Sequence, residues 1–212
     1  MILSVVVGVG LGYLLGSLPW GLWLGRWFRG VDIRTVGSGN LGATNVYRSL
    51  GPALGIVTLI LDMAKGALPV WIVPNLPIAA AFPGGREACS LAVALAAVAG
   101  HVWTFLAGFR GGKGVATTAG ALLALAPSAF AIFVVVFVVT VAVTRYISLG
   151  SVLASVAFAI ALAFVEPGGI RSPTFWFGVV AAVVVILRHR DNLGRLSRGQ
   201  ERRFSFKRGG TS

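Results

Sequence analysis

Residues 115–143 read VATTAGALLALAPSAFAIFVVVFVVTVAV, a run of 29 residues without a charge. A helix needs about 20 residues to cross ~30 Å of hydrocarbon, so the run is too long for one simple span. Pro127 and Ser128 sit inside it. Proline removes a backbone donor and clashes with the preceding turn, so either one kinked helix or two helices with a reversal satisfies the local sequence. The choice sets the number of spans and the side of the membrane on which everything after residue 143 lies.

Five other apolar stretches surround it, at about 2–24, 52–73, 88–107, 148–165 and 174–187. With 57% hydrophobic and 11% charged residues, a 212-residue chain does not fit a soluble domain. Charge decides the topology. A reversal near Pro127 makes seven spans, and one side then receives Arg26, Arg29, Arg34, Arg48, Arg110, Lys113, Arg145 and eight basic residues from Arg188 to Arg208. The other side receives Arg86 and Arg171. This 15-to-2 division matches the positive-inside rule, whereas six spans would place Arg145 and the basic tail outside. The expectation is an all-α integral membrane protein with seven transmembrane helices, the N-terminus outside and the C-terminus cytoplasmic. Both halves of the divided run are expected to be short, and the stretch 2–24 to be a retained span rather than a signal peptide. Gly8, Gly12 and Gly16 recur every four residues along that span, a spacing that lets another helix approach closely. Residues 1–201 read as one membrane-embedded domain and 202–212 as a basic cytoplasmic tail.

The net charge of +12 points to anionic headgroups, anionic substrates and cytoplasmic loops, not to nucleic acid. Cys89 is the lone cysteine, which excludes an internal disulfide framework and a thiolate zinc cluster. Six acidic residues leave little material for a multi-metal site, and no metal or cofactor is expected.

Three polar segments fall on the cytoplasmic side of this topology. The first, residues 31–48, holds Gly37, Ser38, Gly39, Asn40, Gly42, Thr44, Asn45 and Arg48. Its GxGxxG pattern follows a membrane span and not a strand, so it is not a dinucleotide fold. Its glycines offer close backbone approach and free N–H groups, Ser38, Thr44, Asn40 and Asn45 add donors, and Arg48 adds a planar fork for an anion. The second holds His101 and then Gly111, Gly112, Lys113 and Gly114. It lacks the first glycine and the Ser/Thr of a nucleotide-binding loop, but a lysine on a glycine loop at a helix start still suits phosphate. His101 reads equally as an interfacial histidine or as part of a site. The third, residues 187–201, carries Arg188, His189, Asn192, Arg195 and Glu201, with His189 and Asn192 three apart on a helix expected to continue from the last span. Asp62 and Lys65, three residues apart in mid-span, are functional candidates or a mutually neutralising pair.

Taken together, these segments resemble the acyl-phosphate-dependent glycerol-3-phosphate acyltransferases of bacteria, the PlsY family. The resemblance runs from Gly16-Ser17-Leu18-Pro19 to Glu201 and includes Ser148-Leu149-Gly150-Ser151. Thr104, where the family usually has proline, and a longer basic tail are its departures. The resemblance implies a seven-span enzyme of the bacterial inner membrane whose active site faces the cytoplasm. It implies transfer of a fatty acyl group from acyl-phosphate to the 1-hydroxyl of glycerol 3-phosphate, giving lysophosphatidic acid and phosphate. It places Ser38, Arg48, Lys113, His189 and Asn192 at catalytic positions. Gly37, Gly39, Asn40, Gly42, Thr44, Asn45, Gly111, Gly112, Gly114, Ser148, Ser151, Arg188 and Arg195 are the substrate-binding candidates. Partners would be glycerol 3-phosphate, acyl-phosphate, membrane lipid and the enzyme that makes acyl-phosphate.

The residues support such chemistry on their own terms. Two phosphate-bearing substrates bring about four negative charges, and Arg48, Lys113, Arg188 and Arg195 are four cations that can meet them. Neither His101 nor His189 is followed five positions on by an aspartate, so HxxxxD acyltransferase chemistry is absent and direct attack on an activated anhydride is expected. A carrier for glycerol 3-phosphate or another organic anion is the alternative, although carriers usually bind near the midplane and these donors crowd one face. A metal-dependent CDP-alcohol phosphotransferase would need clustered aspartates, and this side holds only Asp32 and Asp191.

Overall fold

The protein is described by a computed structural model covering residues 1–205; the basic tail from residue 206 onward, including Lys207 and Arg208, lies outside the described residues. The architecture is helical, with no strand among the described residues. In order the helices are α1 (Ile2–Gly16), α2 (Trp20–Arg29), α3 (Ala43–Leu50), α4 (Pro52–Ile72), α5 (Gly85–Val102), α6 (Val115–Leu125), α7 (Pro127–Thr144), α8 (Ile147–Val165), α9 (Pro173–Arg188) and α10 (Arg190–Ser197). Taking α1 and α2 together, five helical stretches are long and apolar enough to cross a membrane, and the bent pair α9–α10 would be a sixth.

The long apolar run breaks where proline required it. Ala126 leaves the helical region (φ −146°, ψ 78°), and Pro127 opens α7 at a position where its missing N–H has no helical partner to lose. The chain reverses there, because Lys113 before α6 and Ser148 after α7 are both tied into one cluster with Asn192 and Glu201. The two halves are unequal. α7 has 18 residues, a full span, so the expectation that both would be short holds only for α6. With 11 residues α6 rises ~16 Å, about half the hydrocarbon thickness. It compensates by lying backbone to backbone on α4: a Cβ at Gly66 would strike the Thr117 carbonyl, and one at Gly120 the Met63 carbonyl.

The first apolar stretch is also interrupted. Pro19 ends α1 at Ser17-Leu18 and starts α2, so the stretch 2–24 is not one continuous helix. A broken helix in an apolar medium leaves carbonyls without partners, each worth several kcal/mol if unsatisfied. Here Thr104 Oγ1 donates to Ser17 O and Lys65 Nζ donates to Leu18 O at 2.7 Å.

Gly8, Gly12 and Gly16 do face another helix. They meet α5 in parallel, beside Cys89, Val93 and Ala97, and at Gly16 no Cβ fits against the Ala97 backbone. Around this contact a core of small residues and phenylalanines, including Phe133 and the fully buried Phe158 and Leu162, joins α5, α7, α8 and α9. α7 keeps most of its apolar surface outward, with Val135, Val138, Val139 and Val143 exposed as lipid contact demands.

Gly16→Ala is expected to lower the thermal midpoint of the detergent-solubilised protein, with an overpacking penalty of about 1–3 kcal/mol. Gly10→Ala, where nothing stands within 4 Å of the added Cβ, should leave the midpoint unchanged or higher.

Candidate functional site

In the first polar segment Gly37 and Gly39 take positive φ (63° and 68°), turning the chain between η-type turn 33–35 and α3. The buried amide of Asn45 fastens this loop. Its Nδ2 donates to Ile33 O, Val36 O and Asn40 O at 3.2, 3.1 and 3.0 Å, and its Oδ1 accepts from Ser38 N at 2.8 Å. Asn40 Oδ1 likewise accepts from Gly42 N at 2.8 Å. Asn45 is therefore a loop fastener, and the donors expected of it for an anion are already engaged. Ser38 stands exposed on this loop, and Thr44 is half-buried at the start of α3. Asp32 accepts from Arg34 and Arg26, which hold its carboxyl far below the usual range and fix the connector.

The second segment turns at Gly108 and Phe109 and doubles back beneath the end of α5: Gly111 N donates to Val102 O and Gly112 N to His101 O, both at 3.1 Å. Gly114 (φ 84°) then starts α6, so Lys113 projects from a loop pinned on both sides.

The third segment departs from the expected straight continuation. α9 ends at Arg188, and α10 leaves it at 57° through His189. His189 is 3% exposed, and its Nδ1 lies 2.7 Å from Val185 O; as the donor there, it leaves Nε2 as the open acceptor. After α10, Gly199 (φ 68°) reverses the chain and Gln200 N donates to Arg195 O, swinging Glu201 back against the helix.

Glu201 is where the segments meet. Its carboxylate accepts from Ser148 Oγ at 2.8 Å, Asn192 Nδ2 at 2.6 Å and Arg195 Nε at 2.9 Å. Asn192 Oδ1 in turn accepts from Lys113 Nζ. Arg188 Nη2 reaches Gly111 O at 3.4 Å, and its Nε is a buried donor with no acceptor among the described residues. The first loop joins through Arg48, whose Nη2 donates to Arg202 O at 3.2 Å, and through the Tyr47 ring, 5.2 Å from that of Phe204. Residues 202–205 thus lie against the body instead of beginning a free tail, with Phe204 N donating to Arg145 O at 2.6 Å. Of the sequence candidates, Lys113, Ser148, Arg188, Asn192 and Arg195 converge directly and Arg48 borders them. The Ser38 N–H and Asn40 make their hydrogen bonds within their own loop, and Ser151 donates to Ile147 O inside α8. Glu201 closes the third polar segment and the family resemblance, but it is not among the catalytic or substrate-binding positions expected from the sequence.

Electrostatics follow from the burial of Lys113 and His189. Burial, with Arg195 and Arg188 adding repulsion and Glu201 opposing it, lowers the Lys113 ammonium to about 8. Burial, and next the Lys113 charge, lower His189 to about 4, so its imidazole is neutral at pH 7. For Glu201 burial alone would raise the carboxyl, but hydrogen bonds from Asn192, Ser148 and Arg195 outweigh it and keep it ionised. Amine labelling of Lys113 followed by mass spectrometry is therefore expected to show half-reaction near pH 8, with the midpoint falling in Glu201→Gln as the neighbouring negative charge is removed. A midpoint in the ordinary lysine range would contradict the burial.

A family model described as glycerol-3-phosphate acyltransferase matches residues 6–199. The glycerol-3-phosphate acyltransferase of Geobacter sulfurreducens is 45% identical over 203 residues, covering 95% of this chain and 98% of the relative. That of Trichlorobacter lovleyi is 46% identical over 193 residues, covering 91% and 93%. Among solved structures, PlsY (YgiH), an integral membrane glycerol 3-phosphate acyltransferase in its glycerol 3-phosphate form, superposes with a TM-score of 0.81 at 34% identity, covering 95% of this chain and 96% of that one. Its lysophosphatidic acid form gives 0.79 at 33% identity, with the same coverage. A match along nearly the whole length, in sequence and in fold alike, means that the chain belongs to the PlsY family of glycerol-3-phosphate acyltransferases.

Proposed function

We propose that this protein transfers a fatty acyl group from acyl-phosphate to the 1-hydroxyl of glycerol 3-phosphate, releasing lysophosphatidic acid and inorganic phosphate. The relatives' activity supports the acceptor. The observation that carries the reading is the charge balance of the cluster: Arg195 bonds Glu201, Lys113 is linked to it through Asn192, Arg188 and Arg48 stand close by, and Arg188 Nε is a buried donor with no acceptor among the described residues. A partly buried site with surplus cations favours multiply charged phosphates.

In the proposed step the glycerol oxygen attacks the acyl carbon, the bond from that carbon to the phosphate oxygen breaks, and phosphate departs with the electron pair. The donor is already an activated anhydride, so positioning and charge stabilisation suffice and no acyl-enzyme forms. A group lowered to about 4 is a poor proton sink, whereas a phosphate oxygen has its second pKa near ~6. The hydroxyl proton therefore passes to a phosphate oxygen while His189 Nε2 orients the hydroxyl. Lys113, Arg188 and Arg195 hold the phosphates, Asn192 positions Lys113, and Ser38 and Arg48 close the acceptor side. The proposal has seven crossings with the N-terminus outside and this centre at the cytoplasmic face of the bacterial inner membrane, where a soluble enzyme would supply acyl-phosphate. Residues 1–201 act as one unit.

The test is phosphate release by purified protein given glycerol 3-phosphate with acyl-phosphate or with acyl-CoA. Release with acyl-phosphate alone is expected; use of acyl-CoA, or passage of glycerol 3-phosphate across vesicles without consumption of acyl-phosphate, contradicts the reading. Lys113→Ala should lower kcat/KM by ~100-fold or more, and His189→Ala should lower kcat by ~10-fold or more. Because Lys113 is charged below about 8, kcat/KM is expected to fall as pH rises through that value, and an acid limb near the phosphate's second pKa should persist unchanged in His189→Ala.

A further inference from the structure

A second polar cluster lies inside the bundle, apart from the Glu201 cluster. Asp62 and Lys65 of α4 form an ion pair at 2.9 Å and are 2% and 5% exposed. His101 of α5, 5% exposed, places Nδ1 3.7 Å from Asp62 Oδ1, beyond hydrogen-bond range, and that nitrogen has no partner among the described residues. A cavity of about 10 Å³ lies among Asp62, Lys65, His101, Thr104 and Gly112, enough for about one water. Neutralisation accounts for the Asp62–Lys65 pair, and the Leu18 carbonyl accounts for the third direction of Lys65. Neither accounts for the histidine.

The other edge of the imidazole does. A Cβ added at Gly112 would fall on His101 Nε2, and one at Gly111 on the His101 carbonyl. The loop carrying Lys113 rests directly on the ring and backbone of His101, with Gly112 N bonded to His101 O. Physical contact is thus continuous from Asp62 through the imidazole to the Gly112 backbone, Lys113 and Asn192.

We propose that His101 is a positioning residue for Lys113: its imidazole, held between Asp62 and the glycine loop, is the surface against which Gly112 seats, and this seating sets where the Lys113 ammonium stands. The activity readout rests on the acyl transfer proposed above. Lys113 is the residue that follows Gly112, and misplacement by about 1 Å costs a reaction of this kind ~100-fold.

The experiment is a double-variant cycle on the full-length protein in detergent. Gly112→Ala, whose methyl collides with the ring, is expected to lower kcat/KM for glycerol 3-phosphate by ~100-fold, and His101→Ala, which empties the space, by ~10-fold. The double variant should be ~10-fold more active than Gly112→Ala, because the methyl then occupies the vacated space. His101→Gln, which keeps bulk beneath the loop, should retain more activity than His101→Ala. Losses that multiply in the double variant overturn the proposal. A readout without substrate separates it from the enzymatic reading: the Lys113 labelling midpoint should move toward the ordinary lysine range in His101→Ala. If the wild type transfers no acyl group but this midpoint moves, the enzymatic reading fails and the positioning stands; an unmoved midpoint overturns the positioning.

Discussion

Lys113 and Ser148 have to stand at the same end of the bundle, because both are bonded into the Asn192–Glu201 cluster. The residues between them are almost wholly helical and apolar, so the chain must travel away and return. Proline at 127 supplies the turning point, and the unequal halves, 11 and 18 residues, follow from where it sits. The short outward helix is tolerated because it lies against α4 through glycines instead of facing lipid alone. Site, core and sidedness of every later loop depend on this one excursion.

The same medium dictates how the breaks are repaired. Apolar surroundings leave no water to bond to exposed backbone, so each interruption in a helix recruits a side chain or a tight turn. Thr104 and Lys65 serve the break at Ser17-Leu18, and His189 bonds back to Val185 where α9 bends. These repairs are also what carry polar groups to defined places. Exclusion of water then lowers Lys113 and His189, so one ammonium and one neutral imidazole stand beside arginines in a setting where charge interactions are strong. Glu201 holds Arg195 directly and Lys113 through Asn192, leaving the cluster short of negative charge.

Much of this could be read from the residues. The interruption at Pro127, the three polar segments, the glycine face of α1 and the Asp62–Lys65 pair all express local rules of proline, glycine and charge in an apolar run. Pro19 broke the first stretch by the same rule that was applied at Pro127, but apolar length concealed it. The bend at His189 was hidden because no proline or glycine marks it. Asn45 looked like an anion donor since side-chain identity does not say which carbonyls will surround it. The meeting point at Glu201 is hidden in the sequence because Ser148, and Lys113 acting through Asn192, come from distant segments, and no periodicity links positions 113, 148 and 201.

Sidedness tests the excursion most directly. With Cys89 replaced by alanine, single cysteines at Arg110, Arg145, Ser197 and Arg86 can be challenged with a membrane-impermeant maleimide in intact cells and again after permeabilisation. The account has Arg110→Cys, Arg145→Cys and Ser197→Cys protected until the membrane is opened and Arg86→Cys labelled at once. Labelling of Arg145→Cys in intact cells while Arg110→Cys stays protected would put the two ends of the apolar run on opposite sides, and the cluster around Glu201 could not assemble.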